Sequence, residues 1–316
     1  MSKRGDIQII TVLCLFVLAL FSACSSKTEE PTWEEHMATG KRNFDGARYA
    51  QAEQSFEAAV KAAEAFPDKD PRKLESIELL ADVYRYTSKY QQAIPLREQA
   101  HKLREETLGP EHPDTLRSLQ WVSGAYAMAN QHERAEPIYK QYLQLTEKVH
   151  GAESVQAAGA AEGLAGAYLN LRKYQEAADL YLRAIAIREK LLPAGDISTA
   201  NTYKSLALVY ATQGDQAEAE KASQHAITVL EKLTPPLPDA LAQALGELGK
   251  IQAAQYKYKE AQRTFQRAIE VIEKTKGQND QSLAPLLEAQ ADVLQKMSQN
   301  AQASGLLDRA KAIRGK

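Results

Sequence analysis

The stretch KYQEAADLYLRA, residues 173–184, decides the fold. Its inward candidates Ala177, Tyr181 and Ala184 form one stripe of a 3.6-residue period, so the segment reads as an amphipathic helix, expected over about Tyr174 to Leu191. Near-copies stand at 89 (KYQQAIPLREQA), 131 (QHERAEPIYKQY), 215 (DQAEAEKASQHA) and 257 (KYKEAQRTFQRA). Their central alanines, Ala93, Ala135, Ala177, Ala219 and Ala261, are spaced by 42 residues; the same register reaches Ala303 downstream, and one step of 41 reaches Ala52 upstream. Seven copies therefore cover residues 33–316.

Each copy reads as two helices. Before the quoted stretch, Ala161, Leu164, Ala165 and Tyr168 make a second stripe, and its tyrosine recurs at Tyr84, Tyr126 and Tyr210. Small alanines at fixed places let two helix backbones approach closely, and leucine there should overpack the contact by ~1–3 kcal/mol. The set Leu164-Ala165, Tyr168, Ala177, Tyr181 and Ala184 resembles the tetratricopeptide repeat. The 42-residue period, AEPIYKQYLQLTEKVHG at 135–151 and the loop LGPEHPDTL at 108–116 resemble its longer, kinesin light-chain-like subgroup. The resemblance implies an all-α, right-handed superhelical solenoid of about seven helix-turn-helix repeats. Such repeats bury their apolar faces only by stacking on their neighbours.

Upstream of the repeats, Lys3 and Arg4 precede the apolar run IITVLCLFVLALF, Ile9–Phe21, of 13 residues. That is short of the ~20 a spanning helix requires, and it reads as a secretory signal peptide over 1–23. Phe21-Ser22-Ala23-Cys24 resembles the bacterial lipoprotein processing motif. The resemblance implies cleavage before Cys24, lipidation of that cysteine (with palmitate or a similar acyl chain) and, because Ser25 is not aspartate, the cell outer membrane facing the periplasm. Ordinary signal cleavage with an incidental cysteine is the competing reading. Residues 24–32 would form the lipidated cysteine and a short tether. The eight residues of the tether after the cysteine reach at most ~25–29 Å, which keeps the first repeat near the bilayer.

Composition excludes several function classes. Losing residues 1–23 removes Lys3, Arg4 and Asp6 and shifts the net charge from −2 to near −3, so no basic field is available for nucleic acid. Cys14 and Cys24 are the only cysteines, so a lipidated mature chain keeps no thiol for disulfides, zinc or nucleophilic catalysis. The histidines His36, His101, His112, His132, His150 and His225 show no helical zinc spacing. GAAEGLAG at 159 lies inside an expected helix and follows no strand, and GELGK at 246 lacks the features of a phosphate loop. Neither cofactor nor metal is expected, and no motif marks an enzyme.

What remains is a binding surface. In the resembled family, the first helix of each repeat lines the concave groove. The positions that hold a lysine–asparagine clamp in some relatives here read Glu78/Asp82, Gln120/Gly124, Glu162/Gly166, Lys204/Leu208 and Gly246/Lys250. One face groups Arg117, Trp121, Gly124 and Met128 in the third repeat, Gly159, Gly163, Gly166 and Asn170 in the fourth, and Asn201, Ser205, Leu208 and Thr212 in the fifth. Glycine inside a helix costs ~0.8–1 kcal/mol relative to alanine, so three on one face need a reason. Either they open a pocket beside an aromatic anchor, or they reflect tight packing in a tolerant repeat. The expected function is a lipid-anchored scaffold or assembly factor of the bacterial envelope that binds a peptide segment of another envelope protein. The alternative is a periplasmic receptor for glycans or small molecules.

Overall fold

The computed structural model describes residues 31–315, and the readings placed on the leader and on Cys24 lie outside them. The described residues form fourteen α-helices and no strand. They group into two compact units, divided between Thr87 and Ser88. The first holds α1 (Trp33–Asp45), α2 (Tyr49–Ala63) and α3 (Pro71–Tyr86). The second holds α4 (Tyr90–Leu108), α5 (Pro113–Met128), α6 (His132–His150), α7 (Val155–Asn170), α8 (Tyr174–Leu191) and α9 (Ile197–Gln213). It continues with α10 (Gln216–Glu231), α11 (Pro238–Ala254), α12 (Tyr258–Lys276), α13 (Leu283–Lys296) and α14 (Asn300–Arg314). Within each unit every helix packs on its neighbours in sequence, the order of a helical solenoid. The helix expected over Tyr174 to Leu191 is α8.

Local chemistry sets the helix ends. Thr32 and Glu35 form a reciprocal capping box at α1. Asp70, Ser154 and Asp196 accept from the first free backbone N–H groups of α3, α7 and α9. His112 does the same for α5 through Nδ1, 3.2 Å from the Asp114 nitrogen. Pro71, Pro113 and Pro238 open their helices, where a missing N–H removes no helical bond.

The turn inside each repeat passes through one left-handed residue. These are Ala47, Ser88, Asn130, Arg172, Gly214, Tyr256 and Ser298, which repeat the sequence period with its single step of 41. Only Gly214 adopts this conformation without steric cost. The turn conformation therefore does not depend on the identity of the turn residue.

The core follows the alanines. Ala52, Ala93, Ala135, Ala177, Ala219, Ala261 and Ala303 are at most 3% exposed. Ala161, Leu164 and Ala165 are buried with Ala177, Tyr181 and Ala184. The two helices of a repeat match by size. Where the second carries Phe56 or Phe265, the facing residue of the first is Gly40 or Gly249, and an added Cβ would come within 2.4 or 2.8 Å of the ring. Where it carries Tyr181, the facing residue is Ala165, in the same cluster.

Candidate functional site

Helices α5, α7 and α9 are the first helices of the third, fourth and fifth repeats. On α5, Trp121 is 37% exposed and its ring is flanked by the guanidinium groups of Arg97 at 4.9 Å, Arg104 at 5.5 Å and Arg117 at 5.8 Å. Cations over an indole face are held by the ring quadrupole, so Trp121 sits in a cationic collar rather than bare. Arg117 also pairs with Asp114 one turn earlier. Met128 is exposed, and a Cβ on Gly124 would meet nothing within 4 Å.

The glycines of α7 divide into two kinds. Gly159 faces open space, and a Cβ on Gly166 would make an ordinary contact, 3.7 Å from the Tyr181 hydroxyl. Gly163 is different: its Cβ would lie 2.7 Å from Cε1 of Tyr139. Two glycines thus leave backbone accessible and one admits a neighbouring ring. Asn170 donates to the Gly166 carbonyl at 2.8 Å, and on α9 Thr212 donates to the Leu208 carbonyl at 2.7 Å. Leu208 projects outward, 55% exposed.

The twelve expected residues fall on two cavities and the surface beside them. Met128, Gly163, Gly166 and Asn170 line a cavity of about 550 Å³ together with Tyr139 and Glu162. Asn201, Ser205 and Leu208 line another of about 560 Å³ together with Lys204, Glu247 and Lys250. Arg117, Trp121, Gly124, Gly159 and Thr212 line neither. The additional wall residues could have been found by shifting the sequence by its own period. Tyr139 occupies the place of Tyr181 and Phe265, and Glu162 that of Lys204.

At the first cavity the charge of Glu162 is neutralised from behind. Arg188, 5% exposed, grips both carboxylate oxygens of Glu162, with Nη2–Oε2 at 2.6 Å, and Thr202 closes the triad. A bidentate guanidinium–carboxylate pair of this kind adds geometric specificity to the attraction between the charges. Lys140 at 2.7 Å and Lys173 at 2.6 Å hydrogen-bond to Glu136 and hold its carboxyl below the usual range. Burial pushes the Tyr139 and Tyr181 hydroxyls up, so both stay neutral donors. Exposed apolar side chains, open helix backbone and neutral hydroxyls suit recognition of a chain segment. Among the described residues, no group of three or more His, Cys, Asp or Glu could hold a metal ion, and no helix is long and apolar enough to cross a membrane.

Residues 73–148 and 156–232 match the model of the tetratricopeptide repeat. No curated protein gives a match. Among solved structures, the nearly identical TPR-like repeats of a kinesin light chain from Podosopora anserina are 25% identical, with a TM-score of 0.57 over 67% of this chain and 99% of that one. BtubC (BKLC) from P. vanneervenii shares the fold at 21% identity, TM-score 0.59, covering 78% of this chain and 94% of its own. The apo form of RapI does so at 17% identity, TM-score 0.59, covering 89% and 97%. The helix pairs, their alanine contacts and these matches agree: the chain is a solenoid of tetratricopeptide repeats similar to those of kinesin light chains.

Proposed function

We propose that this chain is a lipid-anchored protein of the bacterial envelope that binds a segment of another envelope protein along the first helices of its third to fifth repeats. It works there as a scaffold or assembly factor, without catalysis of its own. The observation that carries the binding reading is the cavity of about 550 Å³ between α5 and α7, where Met128 stands exposed over backbone left accessible by Gly166. Trp121, two turns back along the same helix face, is the aromatic anchor, a residue type enriched at binding hot spots. The anchoring reading rests on the basic head, apolar run and Phe21-Ser22-Ala23-Cys24 in the sequence. A cysteine acylated more than once holds a protein to a bilayer, because each buried methylene contributes ~0.8 kcal/mol.

Two experiments test the two halves. Capture from detergent-solubilised envelopes, followed by titration of the recovered protein, should show Trp121→Ala weakening the complex by ~2 kcal/mol or more. Gly166→Leu should abolish it. Neither change should greatly lower stability, whereas Ala165→Leu, on the buried stripe, should destabilise the fold. Unchanged affinity in both groove variants would move the interaction to another face. Separately, intact mass should show cleavage before Cys24 and added acyl mass. Cys24→Ala should leave the leader uncut or the protein free of lipid; processing and localisation like the wild type would refute the anchor.

A further inference from the structure

The second cavity, of about 560 Å³ between α9 and α11, arises from two departures in the fifth repeat. Ser223 of α10 stands where α6, α8 and α12 carry Tyr139, Tyr181 and Phe265. In those repeats the ring fills the space toward the next first helix: Tyr139 meets Gly163, and Phe265 packs with Ala289. Ser223 supplies no ring, and the vacated space is walled by Leu208, Ala211 and Ile251. The other departure concerns charge. Glu162 and Glu288 are each neutralised by an arginine of their own repeat, Arg188 and Arg314. The same place holds Lys204 in the fifth repeat, and its counterpart there is Leu230, which brings no charge. Lys204 reaches only the Gln243 amide oxygen, at 3.1 Å. Lys250 lies on the same wall, and neither lysine has an ion pair among the described residues. Glu247 shares that wall and makes no ion pair with either ammonium among the described residues. Lys250 and Glu247 also border an adjoining cavity of about 420 Å³ over Phe265, Ile272 and Leu286.

From the missing ring and the missing acid together, we infer that the groove of the fifth and sixth repeats takes an internal peptide segment in which a carboxylate side chain sits beside large apolar side chains. The carboxylate lies between Lys204 and Lys250, and an apolar side chain fills the space over Ser223. The walls are open on one side, which suits a chain passing through. Charge complementarity at such a groove fixes the register of the bound segment and speeds its encounter. This assignment rests on the proposal that the first-helix face binds a protein segment, and it adds the chemistry of that segment.

The test uses the full-length protein in detergent and an array of twelve-residue peptides, acetylated and amidated at their ends. In the array one Asp and two Leu are placed at every spacing in a Gly/Ser background. The matching array carries Asn for Asp. At least one Asp peptide should bind saturably and lose tenfold or more in affinity on Asp→Asn. Lys204→Glu with Lys250→Glu should lose that binding and gain the peptide with Lys in place of Asp. Ser223→Tyr should abolish binding with the charges intact. Both lysines are outside the core, so circular dichroism should stay as in the wild type; if the reversal unfolds the protein, Lys204→Gln with Lys250→Gln is measured instead. Equal binding of Asp and Asn peptides, binding only of peptides with a free carboxyl terminus, or no saturable peptide in either array overturns the inference. An envelope partner that ignores the lysine variants yet is lost on Gly166→Leu overturns it alone and leaves the scaffold reading standing.

Discussion

The ring of Tyr139 occupies the space that a side chain on Gly163 would take, with Cε1 2.7 Å from the place of its Cβ. The pair belongs to a rule that runs through the second compact unit. A second-helix ring faces a small residue of the next first helix: Tyr139 with Gly163, Phe265 with Ala289. Gly163→Ala should therefore destabilise the protein, by ~1–3 kcal/mol for an overpacked contact. Gly124→Ala and Gly159→Ala, which meet nothing, should stabilise it by up to ~1 kcal/mol through helix propensity alone. Urea unfolding of the three variants checks the contrast. Equal stabilisation by all three would mean that Tyr139 yields freely.

The repeat, its period and the inward alanines were legible in the sequence because each inward position repeats the same constraint seven times. The Ala165 and Tyr181 positions needed only a 3.6-residue period and a count of 42. The site was less legible, because it depends on pairs across helices rather than on a stripe along one. Gly159, Gly163 and Gly166 look alike on the helix, yet only Gly163 faces a ring. Nor does the sequence of α7 by itself say that Glu162 is held by Arg188, 26 residues on. Both become visible only when second-helix positions are compared in register, since packing reads size and charge across the gap.

The left-handed turn residues give a second prediction. A non-glycine residue in this conformation costs ~1–2 kcal/mol from the clash of its Cβ with the following carbonyl. Tyr256 bears that cost at φ 60°, and it is 79% exposed, its ring in edge contact with Tyr258. Tyr256→Gly should stabilise the protein by ~0.5–1 kcal/mol after the extra freedom of glycine in the unfolded chain is deducted. Gly214→Ala should destabilise it by about 1 kcal/mol. Thermal midpoints shifting in opposite directions would bear this out; a loss in Tyr256→Gly would show that the exposed ring contributes more than its strain.

The dependence on pH has a defined sign at His101. Burial holds its pKa below the ordinary 6.5, with Ser118 Oγ at 2.9 Å from Nδ1. As pH falls, the unfolded chain takes up this proton first, so the unfolded state binds more protons and stability drops with acid. The contribution is complete above about pH 6.5, declines below it, and levels off once the pH has passed the lowered folded value. His101→Gln can still bond Ser118 and carries no titrating ring. Its thermal midpoint should fall less than that of the wild type between pH 7.5 and pH 5. Parallel curves for the two proteins would exclude His101 as a source of acid sensitivity.

The Arg188–Glu162 pair makes the last prediction, because the protein contains its own control. Arg188 has 6% of its side chain exposed and Glu162 26%, so the guanidinium is well removed from water and the carboxylate partly so. Removing one partner strands a charge that water reaches poorly, which typically costs ~3–5 kcal/mol, whereas exchanging both for apolar groups is often neutral. The sixth repeat carries that exchange: Gly246 and Ile272 stand at the places of Glu162 and Arg188, and Ile272 is 1% exposed. Arg188→Ile alone should therefore lower stability by several kcal/mol, at the lower end of that range because Glu162 keeps some solvent and Thr202. Glu162→Gly with Arg188→Ile should recover most of the loss, less ~1 kcal/mol for the new helical glycine. The reading is a double-mutant cycle in urea, with circular dichroism as the probe. A double variant no more stable than Arg188→Ile would mean that the arginine acts through its packing against Thr202 and the α8 backbone, and not through the charge of Glu162.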